Sequence, residues 1–308
     1  MMPLPGVAIS AAGSLTLADI DRLTGGRPGT FDVPCPLCGP HRRTPANRRR
    51  RVLRVWQFEP RFATYHCCRC GDSGYSRDET APRPDPVKLA RARQEAGQRH
   101  REAAAERLRF ALWLWPQRKP IAGTPAERYL RLARGYGGPL PATLGFLPQR
   151  GEHGPAMIAA FGLADEIEPG VIAIRDDAIR GVHLTRLLPD GSDRERADRS
   201  KIMIGFSTGS PIVLAAPNDL LGQAIVEGVE DGLSIHEATG LGVWAAGCAS
   251  RLPALAAAVP SYIDCVTAVA DADDAGQRYA GELIAWLNAR RIDAHMVIPG
   301  ASSWRAAR

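Results

Sequence analysis

Two short cysteine pairs, Cys35-x2-Cys38 and Cys67-x2-Cys70, stand 28 residues apart. Four soft thiolates in two knuckles are what a tetrahedral structural zinc requires, so the spacing predicts one structural Zn2+. A glycine follows each pair (Gly39 and Gly71), letting the backbone turn so that its N–H groups point at sulfur. Cys68 lies between two ligands and reads as a spare; the alternative reading exchanges it with Cys67. Cys248 and Cys265 sit in apolar segments and read as ordinary buried thiols.

Between the knuckles runs HRRTPANRRRRVLRVWQF, which places Arg42, Arg43, Arg48, Arg49, Arg50, Arg51 and Arg54 beside Trp56 and Phe58. Guanidinium groups pair with phosphates and aromatic rings stack on unpaired bases. Seven arginines within thirteen residues repel one another unless an anion is near, so this insert reads as a nucleic-acid contact rather than a solvated hairpin.

A second group consists of carboxylates. The apolar run AIVEG ends in Glu227, Asp231 falls in the first turn of the helix that follows, and VTAVAD ends in Asp271 with Asp273 two residues on. In a parallel sheet the carboxyl ends of the strands share one edge, where ligands bind. Glu227, Asp231, Asp271 and Asp273 would converge there, and clustered carboxylates call for a hard cation, Mg2+ or Mn2+, that keeps waters for substrate phosphates. Taken singly the acids have plainer readings: Asp231 complements a helix N-terminus, and Asp273 or Asp274 caps a helix.

These groups must be positioned by several elements. The chain has 308 residues, 45% of them apolar, and a net charge of +6. Residues 1–150 hold 26 Lys and Arg against 12 Asp and Glu, and residues 151–308 hold 13 against 21. A basic half that meets a polyanion and an acidic half that binds metal account for the split. No apolar run is long enough to cross a bilayer and the N-terminus lacks a basic start, so a cytoplasmic protein without a membrane partner is expected. Composition separates a leader (1–30) with a helix at LTLADIDRLTGG, a Cys-rich ribbon (31–76), and a linker with helices (77–135). The last of these includes a long helix from Val87 to Trp115 and a second one begun by a Thr124/Glu127 capping box. Residues 136–218 read as an α+β segment whose short strands, from TLGFLP to PIVLAAP, form an antiparallel sheet. Residues 219–300 alternate strands and helices, the mark of a parallel sheet.

VEGVEDGLS together with VADADDAG resembles the paired signatures of the Toprim domain, a Glu followed downstream by Asp-x-Asp. The order of ribbon, α+β segment and Toprim is similar to bacterial and phage DNA primases. CPLCGPHRRTPANRRR, TPAERYLRLARG and GVHLTRLLPDGS resemble primase-related Toprim proteins of phages and mobile elements. The resemblance implies an α/β Toprim domain, a parallel sheet flanked by helices, preceded by an α+β primase-core-like segment and an N-terminal zinc ribbon. It implies template-directed synthesis of short RNA primers from nucleoside triphosphates on single-stranded DNA. The alternatives are a Toprim nuclease or a non-catalytic nucleic-acid-binding protein of a mobile element. By position, Glu227, Asp271 and Asp273 are the implied catalytic residues, Glu227 as acid/base or metal ligand, and Asp231, Asp271 and Asp273 as metal-binding acids. Lys201 and Arg186 fall in the segment that supplies basic groups to nucleotide and template. Family members continue past the last strand with a Gly-Lys-Asp element, where this sequence reads IPGASSWRAAR. That departure bears on polymerising activity, and without a helicase domain or Walker A motif a separate helicase is implied.

Overall fold

A computed structural model of the chain describes residues 15–41, 45–78, 80, 86–196, 200–205 and 207–299. Arg42 and Arg43 lie outside the described residues, as does most of the Pro-rich linker. The chain divides into two compact units, residues 1–100 and 101–308, taken here in turn.

The first unit begins with α1 (Leu17–Thr24), opened by a capping box between Thr16 and Asp19 and closed by Gly25 in the left-handed conformation (φ 72°). The chain then forms β1 (Gly29–Pro34), α2 (Pro45–Arg49), β2 (Arg51–Glu59), β3 (Phe62–Cys67) and β4 (Ser73–Arg77). The four strands make an antiparallel sheet in sequence order. Period-two alternation buries Leu53, Val55, Ala63, Tyr65 and Cys67 on one face, and Leu15 and Ile20 close that core. Residues expected as a leader thus complete the ribbon: Leu15 N–H donates to the Tyr65 hydroxyl (3.1 Å) and the Thr24 hydroxyl donates to Gln57 (2.8 Å).

The long helix α3 (Pro86–Leu114) ends in a 3-10 turn at Trp115–Gln117. In the second unit its last residues, Ala111 with Trp115, pack on Ile158, Ala160 and Val182. Next, α4 (Pro125–Arg128) widens into a π turn over Tyr129–Ala133. The expected capping box does not form. Thr124 Oγ1 instead donates to Ile121 O, and Glu127 Oε2 accepts from Gly123 N–H (2.7 Å), so the tight turn before the helix takes both groups.

The strands β5 (Leu144–Leu147), β6 (Ala156–Phe161), β7 (Asp165–Glu168), β8 (Val171–Ala173), β9 (Gly181–Arg186), β10 (Lys201–Gly205) and β11 (Ile212–Ala215) follow. They do not make one sheet. Four of them pair antiparallel in the order β10-β9-β6-β5, and β7 and β8 form a separate hairpin. β11 leaves to pair antiparallel with β13 (Gly242–Ala245) at the edge of the last sheet. A four-residue apolar run carries no information about its partner; here Leu214 is drawn into the core formed with Val226 and Val243.

The last sheet adds β12 (Gly222–Val226), β14 (Cys265–Val269) and β15 (Asp293–Val297), in the order β11-β13-β12-β14-β15 with all but β11 parallel. Its helices are α5 (Val229–Thr239), a short α6 (Leu252–Leu255) between 3-10 turns, and α7 (Asp274–Ala289). The short α6 has Pro253 in its first turn and lies between 3-10 turns at Ala249–Arg251 and Ala256–Ala258. Every residue of β12 is buried, as befits a central strand covered on both faces. One face meets the core that includes Phe161, Tyr129 and Leu233, and the other meets Leu255, Leu283 and Leu287. Among the described residues no helix is long and apolar enough to cross a membrane.

Candidate functional site

In the first unit Cys35, Cys38, Cys67 and Cys70 place their sulfurs within 4.8 Å of one another. The Cys35–Cys70 and Cys38–Cys67 separations are 3.9 and 3.8 Å. A zinc–sulfur bond of about 2.3 Å gives a tetrahedron with edges of about 3.8 Å, so the donor set fits zinc in both kind and size. Each knuckle closes through a backbone bond to its first cysteine, Gly39 N–H to Cys35 O and Gly71 N–H to Cys67 O, both 2.9 Å. A Cβ on Gly39 would lie 2.5 Å from that Cys35 oxygen, which accounts for the glycine. The hydrogen bond with Cys35, aided by burial, pushes the Cys67 thiol up to about 12, and a cation among the sulfurs would displace such protons. Cys68 is outside the cluster.

The opposite face of the same sheet is aromatic. Trp56 lies across from Thr30 and Thr64, Thr64 lies across from Tyr75, and Phe62 stacks on Tyr75 with ring centroids 6.2 Å apart. Arg48, Arg49, Arg50 and Arg51 are exposed on α2 and the start of β2. Arg54 has a different fate: its guanidinium makes two parallel bonds to Asp32 (2.7 and 2.8 Å) and so braces β2 against β1.

In the second unit the strand-end acids do converge. β12 and β14 are adjacent and in register, Val226 opposite Val269, so Glu227 and Asp271 leave the same edge. Burial and the charge of Asp271 push Glu227 up to about 7, although the Ala249 N–H and Lys201 act against this. Burial, then Asp231 and Asp273, raise Asp271 in turn, and a hydrogen bond from Glu227 opposes the rise. The four carboxylates therefore feel one another. Gly228 makes room for this, since a Cβ there would lie 2.7 Å from Asp231 Oδ2. Asp273 also caps α7, its Oδ1 accepting from Gly276 N–H (2.8 Å), so cap and cluster member are one residue. Acids that repel and raise one another at a strand edge fit a hard divalent cation in their donor chemistry. Among the described residues no three of these carboxylates bring an oxygen within 4.8 Å of one another, so closing on a shared ion takes side-chain rotation.

Of the two basic candidates, Lys201 is beside the acids and its charge lowers both Glu227 and Asp271. The Arg186 guanidinium is engaged by Glu195 at 3.7 Å. Cys248 follows β13 close to Glu227, with burial raising its thiol, while Cys265 is only half-buried and lies 3.5 Å from His295 Nδ1.

Glu230 is the residue that sequence reasoning passed over. It is 3% exposed in its side chain, yet it carries a charge: Lys201 Nζ lies 2.9 Å from Oε2, the Tyr129 hydroxyl donates to Oε1 (2.9 Å), and Arg134 stands 4.0 Å away. Burial alone would raise its carboxyl, but Lys201 and Arg134 outweigh burial and hold it at about 2. The π turn sets Tyr129 and Arg134 side by side, so that Arg134 Nε also donates to the Tyr129 oxygen (2.9 Å). An acid between Glu227 and Asp231 reads in sequence as one more first-turn carboxylate. Its unusual surroundings could have been suspected only from the lone lysine beyond residue 150.

Two family models match parts of the chain. Residues 105–214 match the model of a domain of unknown function, DUF7146, and residues 223–305 match the model of the Toprim domain. No curated protein matches the chain. Among solved structures it is similar to the zinc-binding and RNA polymerase domains of the Aquifex aeolicus primase, at 14% identity. That likeness covers 93% of this chain and 77% of the other, with a TM-score of 0.39. The acids at the ends of β12 and β14 lie within the segment that matches the Toprim model, on one chain with a four-cysteine cluster.

Proposed function

We propose that this chain is a primase-like nucleotidyltransferase of the cytoplasm, making short RNA primers on single-stranded DNA with Mg2+ or Mn2+ and working with a helicase. The observation that carries the reading is the convergence of Glu227, Asp231, Asp271 and Asp273 at one strand edge with Lys201 beside them. The cysteine-bound ribbon, with Trp56, Phe62 and Tyr75 on one face and arginines at its rim, is suited to stacking unpaired bases and tracking their phosphates.

In this reading Glu227, Asp231, Asp271 and Asp273 bind the divalent ions, and Cys35, Cys38, Cys67 and Cys70 bind zinc. Bound divalent ions neutralise charge developing on the transferred phosphoryl group and favour the deprotonated 3′-hydroxyl. The chain's own residues do the rest. Glu227, at the strand edge where the hydroxyl would attack, can take up its proton. Lys201, held at the rim, meets the triphosphate as a point charge. The buried floor of β12 and β14 keeps bulk water from the acids' rear.

The test is incorporation of ribonucleotides on single-stranded DNA by the full chain with Mg2+ or Mn2+, a helicase supplied, compared with Glu227→Gln. Primers made by the wild type and lost in the variant support the proposal. Strand cleavage without incorporation would identify a Toprim nuclease instead. DNA binding with no chemistry in either protein would leave a non-catalytic module.

A further inference from the structure

Lys201 presents a physical problem. It is a flexible ammonium whose charge reaches Glu227 and Asp271, so electrostatics alone would draw it into the acid cluster and make it a resident counter-ion. Instead its Nζ is bonded at 2.9 Å to Glu230, a buried carboxylate that is also held by Tyr129 and flanked by Arg134. Each oxygen of Glu230 is engaged separately. Oε1 accepts from the Tyr129 hydroxyl with Arg134 nearby, which leaves Oε2 to face Lys201. The clamp ties residues of the DUF7146 segment to the first turn of the Toprim helix α5, one residue before Asp231.

We propose that Glu230 is a positioning residue that holds the Lys201 ammonium off the strand-end acids, keeping it from taking the place of a divalent cation among Glu227, Asp231 and Asp271. This rests on the reading that those acids bind such a cation, but not on primer synthesis. A buried ion pair is a poor source of stability compared with apolar packing, and orienting a charged group is a role that such a pair can fill. Glu230 balances only one of the two cations beside it, so freeing Lys201 leaves a mobile positive charge next to four negative ones.

The experiment is Mn2+ titration of the full chain, zinc-loaded, followed by electron paramagnetic resonance, with circular dichroism to confirm folding. Mn2+ prefers carboxylate oxygen to thiolate, which separates this site from the ribbon. Glu230→Gln, equal in shape, is expected to weaken Mn2+ binding roughly tenfold as Lys201 competes for the acids. Lys201→Met alone should bind Mn2+ at least as tightly as wild type. The decisive protein is the double variant Glu230→Gln/Lys201→Met, which should recover wild-type Mn2+ affinity because the competitor is gone. Unchanged affinity in Glu230→Gln, or a loss that the double variant does not recover, overturns the inference. A wild type that binds no Mn2+ overturns it together with the proposed function. The expected Mn2+ pattern in a wild type that makes no primers overturns primer synthesis alone.

Discussion

Glu227 and Asp271 stand at the ends of two adjacent parallel strands, β12 and β14, close enough that the Asp271 charge raises the Glu227 carboxyl. Burial and the neighbouring charge raise Glu227 to about 7, so near neutral pH the metal-free edge takes up a proton on Glu227 where a cation would otherwise reduce the repulsion. Function and stability are therefore opposed at this residue. Glu227→Gln should stabilise chelator-treated protein at pH 8 by up to about 3 kcal/mol, and so raise its thermal midpoint, because it removes a half-buried charge facing like charges. The same variant should lose Mn2+ binding and nucleotide incorporation. A midpoint at pH 8 that falls instead would show Glu227 to be a structural residue.

The zinc prediction follows from sulfur–sulfur separations of 3.8 and 3.9 Å. Purified protein should contain about one zinc per chain, by elemental analysis. Because Cys35 and Cys67 are also members of the ribbon's small core, chelation should unfold that unit. The cores of residues 101–308 are built from their own side chains, so their unfolding transition should keep its midpoint. Calorimetry before and after chelation checks both statements, and one cooperative loss of the whole chain would contradict them.

On the ribbon, two kinds of residue should fail differently. Trp56→Ala removes a stacking surface and should cost single-stranded DNA binding about 1–3 kcal/mol with little change in salt dependence. Replacing Arg50 and Arg51 by Gln should lower the slope of log affinity against log salt by about 0.7 per lost phosphate contact. Arg54→Gln should do neither, since that guanidinium is committed to Asp32. Fluorescence anisotropy over a salt series separates the three outcomes.

Local signals made some of this legible in the sequence. Knuckle spacing marked four cysteines that the structure gathers, and strand-terminal acids marked Glu227 and Asp271, because in a parallel sheet the end of a strand is a place in space. What stayed hidden depended on partners distant in the chain. Glu230 is one residue from Asp231, yet its meaning comes from Tyr129, Arg134 and Lys201, up to 101 residues away. β11 has the same apolar look as β6 and joins a different sheet. The Thr124-x-x-Glu127 pattern fits a capping box, but Ile121 and Gly123 offered nearer partners. Arg54 looked like its neighbours until the register of β1 and β2 placed Asp32 opposite it.

His183 supplies a titration of opposite sign to that of Glu227. It is 2% exposed on β9, its Nδ1 has no hydrogen-bond partner, and burial, with Lys201 next, lowers it to about 4. A depressed folded value means that stability is present above the unfolded value of about 6.5 and is lost as pH falls toward 4. Glu227 behaves in the reverse way, gaining stability as pH falls from about 7 toward its unfolded value. Each effect is worth about 3 kcal/mol at most, so the two largely cancel and metal-free wild type should show a nearly flat stability between pH 6.5 and about 5. Glu227→Gln removes one side of the balance and should uncover a steep fall over that window. Adding His183→Gln to Glu227→Gln should flatten the profile again. Denaturant unfolding at a series of pH values, with chelator present, reads all three curves, and a flat profile in Glu227→Gln would refute the pairing of the two groups.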